Sequence, residues 1–215
     1  MKRLWLIAAA VMASGAAGLA LAQGAPDPFT GGSAEAGAAK AATCVACHGP
    51  GGNSGNPVWP KLAGQHSAYT YAQLKLFKSG ERKDPLMSPQ AAPLSEQDMK
   101  DLAAYFAQQK AQPGVASADA VKTAEPLYRV GGEQRDLPAC AACHGPQGGG
   151  NAAAAYPRIG GQHASYSAKA LRQYRDVAAL QSLPEGAPRK IMATVAAQLT
   201  DAEIEALASY VNGLH

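Results

Sequence analysis

Aromatic side chains are scarce in this chain: Phe, Tyr and Trp together make up 6% of its 215 residues. The hydrophobic share of 47% draws heavily on alanine instead. A small domain with few large side chains buries little apolar surface and is only marginally stable by itself. We therefore expect a component other than side chains to help hold the fold together.

A strong excess of either charge is also missing. The 19 Lys and Arg residues stand against 16 Asp and Glu, which gives a formal net charge of +3. Two of the basic residues, Lys2 and Arg3, lie in the N-terminal segment discussed next, so the rest of the chain is nearly neutral. Nucleic-acid-binding proteins normally carry a basic patch, so this balance argues against a nucleic-acid partner.

Beyond residue 22 the chain has no apolar run long enough to cross a bilayer. Residues 1–22 combine Lys2 and Arg3 with an apolar stretch and end in Ala20-Leu21-Ala22. These are the parts of a cleavable secretory signal peptide, so we expect a soluble, exported mature protein. An uncleaved membrane anchor is the alternative, but the segment is barely long enough to span.

Cysteine is limited to four residues, and none is left over for a separate disulfide framework. All four lie in two C-x-x-C-H units, which are Cys44, Cys47, His48 and Cys140, Cys143, His144. C-x-x-C-H is the attachment signature of c-type haem: the thiols bond to the porphyrin and the histidine reaches the iron. The sequence therefore predicts two covalently bound haem c groups, which would supply the missing core.

A C-x-x-C pair can also belong to a zinc site or to a redox dithiol. A zinc site would have to combine ligands from both halves of the chain. A thioredoxin-like redox pair needs a βαβ context, which the sequence lacks.

The similarity of the two halves extends well past the cysteines. The segment "CVACHGPGGNSGNPVWPKLAGQH" in the first half corresponds to "CAACHGPQGGGNAAAAYPRIGGQH" in the second. We expect a signal peptide at 1–22, a first domain at 23–112, a linker at 113–126 and a second domain at 127–215. Residues 176–190 are expected to form a longer loop in the second domain.

The sequence pattern favours an all-α fold. Ser95 with Asp98, and Thr200 with Glu203, form capping boxes in front of two amphipathic segments. Residues 66–80 and 163–176 are expected to be middle helices, and no β alternation is visible.

Methionine is also rare, and this bears on the second axial ligand of each iron. Outside the signal segment the chain has Met87, Met99 and Met192. Met87 and Met192 occupy equivalent positions before the last helix of each half, and we predict that they bind the irons. Met99 corresponds to Ile204 on an apolar helix face, so a packing role is expected. Methionine ligation leaves no site for substrate and raises the potential, which suits electron transfer.

Equivalent residues elsewhere in the repeat are further candidates. His66 and His163 also correspond, so symmetry leaves bis-histidine ligation open, although hydrogen bonding is the favoured role. The carbonyls of Pro60 and Pro157 are reasonable acceptors for the second nitrogen of each haem histidine. Candidates for contacting haem propionates are Tyr69, Tyr166, Arg82, Arg158 and Arg189.

The pairing of "CVACHG…GQH…M…LSEQDMKDLAAYF" with "CAACHG…GQH…M…LTDAEIEALASYV" resembles the two-haem cytochrome c4 family across residues 33–215. The resemblance implies tandem cytochrome c-like domains related by pseudo-twofold symmetry, with propionates facing each other near the interface. It implies that the four cysteines of the C-x-x-C-H units attach the haems. It also implies that the axial ligands are His48, Met87, His144 and Met192. The family often has two adjacent methionines where this chain has Leu86-Met87.

The resemblance also implies a function. We expect a periplasmic electron carrier between a quinol-oxidising bc complex and a terminal oxidase, with at most peripheral membrane association and no catalysis of its own. One alternative is a dihaem subunit of a larger oxidoreductase, such as a flavocytochrome sulfide dehydrogenase or an alcohol dehydrogenase. A peroxidase is a second alternative, which would need at least one haem without methionine.

Overall fold

The computed structural model describes residues 29–215 except 177, 182, 184 and 185. The predicted signal peptide lies outside these residues. Within them the backbone is helical and contains no strand, and its extended pairing is confined to two isolated bridges, Gly132 with Leu137 and Asn151 with Tyr156. The prediction of an all-α fold is confirmed.

The helices of the first half are α1 Ala34–Lys40, α2 Ala42–His48, α3 Ser67–Ser79, α4 Met87–Ala91 and α5 Glu96–Ala107. Those of the second half are α6 Ala118–Arg129, α7 Cys140–His144, α8 Ala164–Asp176, α9 Ala178–Gln181, α10 Pro188–Ala196 and α11 Asp201–Gly213. Short 3-10 turns follow at Pro50–Gly52 and Glu133–Arg135.

The two halves repeat one packing scheme. In the first half α5 packs against α1 and α3, and α4 packs against α3. In the second half α11 packs against α6 and α8, and α10 packs against α8. Each half is therefore a small domain built on its own last helix.

Helices α5 and α11, the last helix of each domain, both begin at the predicted capping boxes. The Ser95 hydroxyl accepts a hydrogen bond from the Asp98 N–H, and the Asp98 carboxylate accepts one from the Ser95 N–H at 2.9 Å. Thr200 and Glu203 repeat this exchange, with the return bond at 2.8 Å. The caps satisfy N–H groups that the first turn of a helix leaves without partners.

Few large side chains form the cores, as the composition indicates. In the first domain a buried cluster joins Ala41, Leu102 and Phe106. In the second domain Tyr128 and Ile204 are the largest fully buried side chains. Met99 is 4% exposed on α5, in agreement with its predicted packing role.

The segment between the domains differs from the predicted linker. Its residues 118–126 belong to α6, which packs on α11. Ser117 caps this helix, since its hydroxyl accepts from the Ala120 N–H. We therefore propose that the second domain begins near residue 118.

The longer loop expected at residues 176–190 also contains helical structure. Its described part includes α9 and the first turn of α10. Across the described residues, no helix is both long and apolar enough to cross a membrane.

Candidate functional site

Each C-x-x-C-H unit forms a short helix that ends at its histidine. Helix α2 ends at His48 and α7 ends at His144. Gly49 and Gly145 follow with φ of 75° and 76° and ψ of 167° and 162°, an extended positive-φ conformation that glycine adopts without strain. The chain therefore turns away directly after each histidine, and no disulfide joins any two of the four cysteines.

Both histidines are buried, and each ring is held at one nitrogen. Nδ1 of His48 lies 2.8 Å from the Pro60 carbonyl oxygen, and Nδ1 of His144 lies 2.9 Å from that of Pro157. Burial lowers the pKa of both histidines and outweighs the opposing effect of the proline carbonyls. The predicted hydrogen bonds to the proline carbonyls are therefore confirmed. A neutral ring that donates from Nδ1 presents Nε2 as the nitrogen for a metal.

The state of the thiols bears on the alternative readings. Burial raises the pKa of Cys140 to about 11 and also raises the pKa of Cys44. Thioredoxin-like sites instead lower the pKa of the attacking thiol. Within the described residues no group of three or more His, Cys, Asp and Glu side chains could hold a metal ion. A raised thiol pKa does not favour a redox dithiol, and the described residues offer no group of ligands for a zinc site.

Met87 is the first residue of α4 and is half-buried. The Asp84 carboxylate accepts hydrogen bonds from the N–H groups of Leu86 and Met87, at 2.9 and 3.0 Å. Burial alone would raise the pKa of Asp84, but these bonds and Lys169, 3.6 Å away, bring it below its ordinary value. Asp84 thus fixes the backbone that carries Met87, a role that sequence reasoning missed.

Met192 is also half-buried and lies inside α10. Helix α10 packs on α8 as α4 packs on α3, so the two methionines occupy equivalent elements. In each described domain the histidine helix and the methionine helix do not pack closely on one another. The imidazole and the thioether of each domain therefore come from separate elements.

The glutamines of the two Gly-Gln-His segments join the domains reciprocally. Gln162 Oε1 accepts from the Lys61 N–H, and its Nε2 donates to the Lys61 carbonyl, both at 2.9 Å. Gln65 binds Arg158 in the same way, at 3.0 Å for the accepted bond and 2.8 Å for the donated one. The expected pseudo-twofold relation is therefore visible in individual hydrogen bonds.

The histidines that follow these glutamines are not equivalent in their contacts. His163 Nε2 lies 2.7 Å from the Ser54 carbonyl oxygen of the other domain. His66 Nε2 is buried without a hydrogen-bond partner among the described residues. The favoured hydrogen-bonding role is therefore seen for His163.

Tyrosine and arginine side chains gather where the domains meet. Arg82 donates to the Tyr166 hydroxyl at 3.2 Å, and burial raises the pKa of Tyr69 and of Tyr174. Arg189 donates to the Glu81 carbonyl at 3.3 Å, also across the boundary. The sequence pointed to four of these side chains but missed Tyr174, which has Phe77 as its counterpart in the repeat.

Arg158 tests whether the residues fit a bound haem. Its Nε is buried and has no hydrogen-bond partner among the described residues. A buried guanidinium nitrogen is stable only with an acceptor, and an anionic carboxylate is its best partner. The donor set of thiols, imidazoles and thioethers, together with this unpaired nitrogen, fits a haem with its propionates.

Comparison with known proteins agrees with this geometry. The family model described as "Cytochrome c" matches residues 34–110 and again residues 135–215. The chain is 45% identical over 185 residues to cytochrome c4 of Thiocapsa roseopersicina, covering 85% of this chain and 93% of that protein. The chain belongs to the cytochrome c4 family.

Two further relatives extend the comparison. The crystal structure of reduced recombinant cytochrome c4 from Pseudomonas stutzeri has a TM-score of 0.79 and 44% identity, covering 86% of this chain and all of that one. A thiosulfate dehydrogenase electron acceptor of Thiomonas intermedia is 35% identical, covering 80% of this chain and 78% of that protein. As a member of this family, the chain is a two-haem c-type electron carrier.

Proposed function

We propose that Cys44 and Cys47 attach the first haem and that His48 and Met87 are its axial ligands. Cys140, Cys143, His144 and Met192 play the same roles for the second haem. The observation that carries this assignment is the fixed orientation of both histidines, whose Nδ1 atoms bond to proline carbonyls.

Each haem supplies one-electron chemistry between Fe(III) and Fe(II). The protein side chains bind and orient it, and the methionines close the position that a substrate would need. Buried surroundings and methionine ligation both favour a high potential. Tyr69, Tyr166, Arg82 and Arg158 line the domain boundary and are suited to receive the propionates.

In the cell the protein is proposed to work in the periplasm as a carrier in a respiratory chain. It would accept electrons from a quinol-oxidising complex and deliver them to a terminal oxidase. Residues 1–22, which have the features of an export signal, support the location.

A spectroelectrochemical titration with pyridine haemochrome analysis tests the assignment. The purified protein should contain two haems per chain, both low-spin, with the methionine–iron charge-transfer band at the red end of the ferric spectrum. Fewer than two haems per chain, or a ferric high-spin form that binds cyanide readily, would contradict it.

A second candidate function is favoured by two relatives that are described as electron acceptors of a dehydrogenase. The Thiomonas intermedia protein is described as a thiosulfate dehydrogenase electron acceptor. The second candidate function of this chain is therefore that of a dedicated electron-accepting subunit of a dehydrogenase. Stopped-flow mixing distinguishes the two roles. A free respiratory carrier should be reduced faster by a quinol-oxidising complex than by a thiosulfate, sulfide or alcohol dehydrogenase, whereas an acceptor subunit should show the reverse order and copurify with its dehydrogenase.

A further inference from the structure

One peptide unit in each domain connects the histidine of the C-x-x-C-H unit to a glutamine of the other domain. The peptide between Pro60 and Lys61 uses its carbonyl oxygen to accept from His48 Nδ1. The same peptide uses its N–H to donate to Gln162 Oε1 of the other domain. We call this unit, and its equivalent between Pro157 and Arg158, the proximal peptide.

The second proximal peptide repeats the arrangement in the opposite direction. Its carbonyl oxygen lies 2.9 Å from His144 Nδ1, and its N–H donates to Gln65 Oε1 at 3.0 Å. The histidine of each domain is therefore connected through one peptide group to a glutamine of the other domain.

The glutamine side chains are fixed for this contact. Gln65 Oε1 also accepts from the His66 N–H, and Gln162 Oε1 also accepts from the His163 N–H, both at 3.0 Å. The amide nitrogens donate to the carbonyls of Arg158 and Lys61. Each glutamine thus holds its oxygen at one place against the opposite domain.

We propose that Gln65 and Gln162 are positioning residues that set how strongly the iron-binding histidine of the opposite domain donates electrons to its iron. This inference rests on the proposed function, because it requires His48 and His144 to be the iron ligands. It makes the domain interface part of the environment that sets each haem potential.

The physical basis is polarisation along a chain of hydrogen bonds. An acceptor at the peptide N–H makes the peptide carbonyl oxygen more negative, so that oxygen accepts a stronger bond from the histidine. A stronger bond at Nδ1 makes Nε2 a better donor to a metal. Better donation stabilises Fe(III), so loss of the glutamine oxygen should raise the potential of the haem in the other domain.

The test replaces each glutamine in the full-length two-haem protein and measures both haem potentials. Gln162→Leu should raise the potential of the haem bound through His48, and Gln65→Leu should raise that of the haem bound through His144. We expect the ratio of reduced to oxidised haem at the unmodified midpoint to change about two- to ten-fold. The haem of the substituted domain should keep its potential.

Two additional variants separate this effect from a loosened interface. His163→Phe removes the bond to the Ser54 carbonyl, which also crosses the boundary but does not involve a proximal peptide, and it should not raise the potential of the first haem alone. Gln162→Glu keeps an oxygen acceptor for the Lys61 N–H. It should therefore lower the potential of the first haem relative to Gln162→Leu, and more than that of the second.

Hydrogen exchange of the Lys61 and Arg158 amides provides a readout independent of the haems. Exchange should speed up at Lys61 in Gln162→Leu and at Arg158 in Gln65→Leu. If a Leu variant does not fold, the Glu variant carries the test, since its larger shift must still fall on the opposite haem.

Several results would overturn the inference while leaving the proposed function intact. These are unchanged potentials, a shift of both haems together, or a shift confined to the substituted domain, in protein with two haems and histidine–methionine spectra. A haem count below two, or the absence of those spectra in the unmodified protein, would instead remove the proposed function.

Discussion

Gly49 and Gly145 show how equivalent residues of a repeat acquire different constraints. Both follow the histidine of a C-x-x-C-H unit and have nearly the same positive φ. A Cβ on Gly49 would lie 2.3 Å from the Asn53 carbonyl oxygen, whereas the nearest atom to a Cβ on Gly145 is 4.0 Å away. The two glycines share a backbone conformation, but of the two only Gly49 lacks space for a Cβ.

We predict that Gly49→Ala is more destabilising than Gly145→Ala. Positive φ combined with ψ of 167° at Gly49 and 162° at Gly145 is a region that essentially only glycine enters, so alanine there costs each variant about 1 to 3 kcal/mol. Gly49→Ala must also displace backbone at Asn53, so its loss should be clearly larger. Chemical unfolding of the haem-loaded protein measures the difference, and equal losses would show that the Asn53 loop moves freely.

The methionines allow a second test at the scale of single residues. Met87→His and Met192→His should each lower the potential of one haem and remove about half of the methionine–iron band, because imidazole stabilises Fe(III) better than a thioether does. Spectroelectrochemistry measures both changes. Met99→Leu is the matched control, because Met99 lies on α5, is 4% exposed and is expected to have a packing role. This variant should leave both potentials unchanged. A shifted potential in Met99→Leu would contradict the assignment of Met87 and Met192 as the ligands.

At the scale of helices, the capping boxes hold α5 and α11 in place. In the second box the Glu203 carboxylate binds Thr200 and also Arg135, at 2.8 Å. The bond from Arg135 is the main cause that lowers the pKa of Glu203 to about 2 from its ordinary 4.5, against the opposing effect of burial. Because the folded state binds this proton less readily, the stabilisation is present above pH 4.5 and is lost as the pH falls toward 2.

We therefore predict that Glu203→Gln lowers the free energy of unfolding by about 1 kcal/mol at neutral pH. The difference from the unmodified protein should shrink as the pH falls from 4.5 toward 2. Urea titrations at several pH values check this. Glu205→Gln is the control, because Glu205 lies on the same helix and pairs with Arg172 at an exposed position; a loss as large as that of Glu203→Gln would contradict a capping role.

The helices also show what the sequence could predict. Capping residues and apolar spacing are local signals, so the starts of α5 and α11 were predictable. The C-x-x-C-H units were equally clear. Helix α9 and the start of α6 at residue 118 were not predictable, because their helical structure depends on packing and their small side chains form no clear apolar pattern. The role of Asp84 could not be predicted for a related reason: which N–H groups its carboxylate binds depends on the turn that the backbone makes between Asp84 and Met87.

At the scale of the whole molecule, the contacts between domains are the least visible in the sequence. Gly-Gln-His was recognised as a repeated segment, but its reciprocal bonds require both domains to be placed. His66 and His163 are equivalent in the sequence repeat, but their hydrogen bonds differ in the structure. This asymmetry gives a test of how much one contact contributes to domain docking.

We predict that His163→Phe destabilises the protein by about 1 to 2 kcal/mol, because the Ser54 carbonyl loses its partner. His66→Phe should cost less, since His66 Nε2 has no hydrogen-bond partner among the residues that the structure describes. Burial lowers the pKa of His163, so its stabilisation is present at neutral pH and declines as the pH falls below about 6.5. Thermal unfolding at pH 7.5 and 5.5 measures both effects, and a larger loss in His66→Phe would contradict the assignment.

The reciprocal glutamine contacts have a consequence for how such a molecule can arise. A surface that offers both a glutamine and the segment it binds is complementary to a copy of itself, which is the condition for an isologous dimer. Two separate single-haem subunits carrying this surface could therefore pair with the same hydrogen bonds. Joining them in one polypeptide turns that association into an intramolecular event at millimolar effective concentration, so a contact too weak to hold free subunits together suffices here.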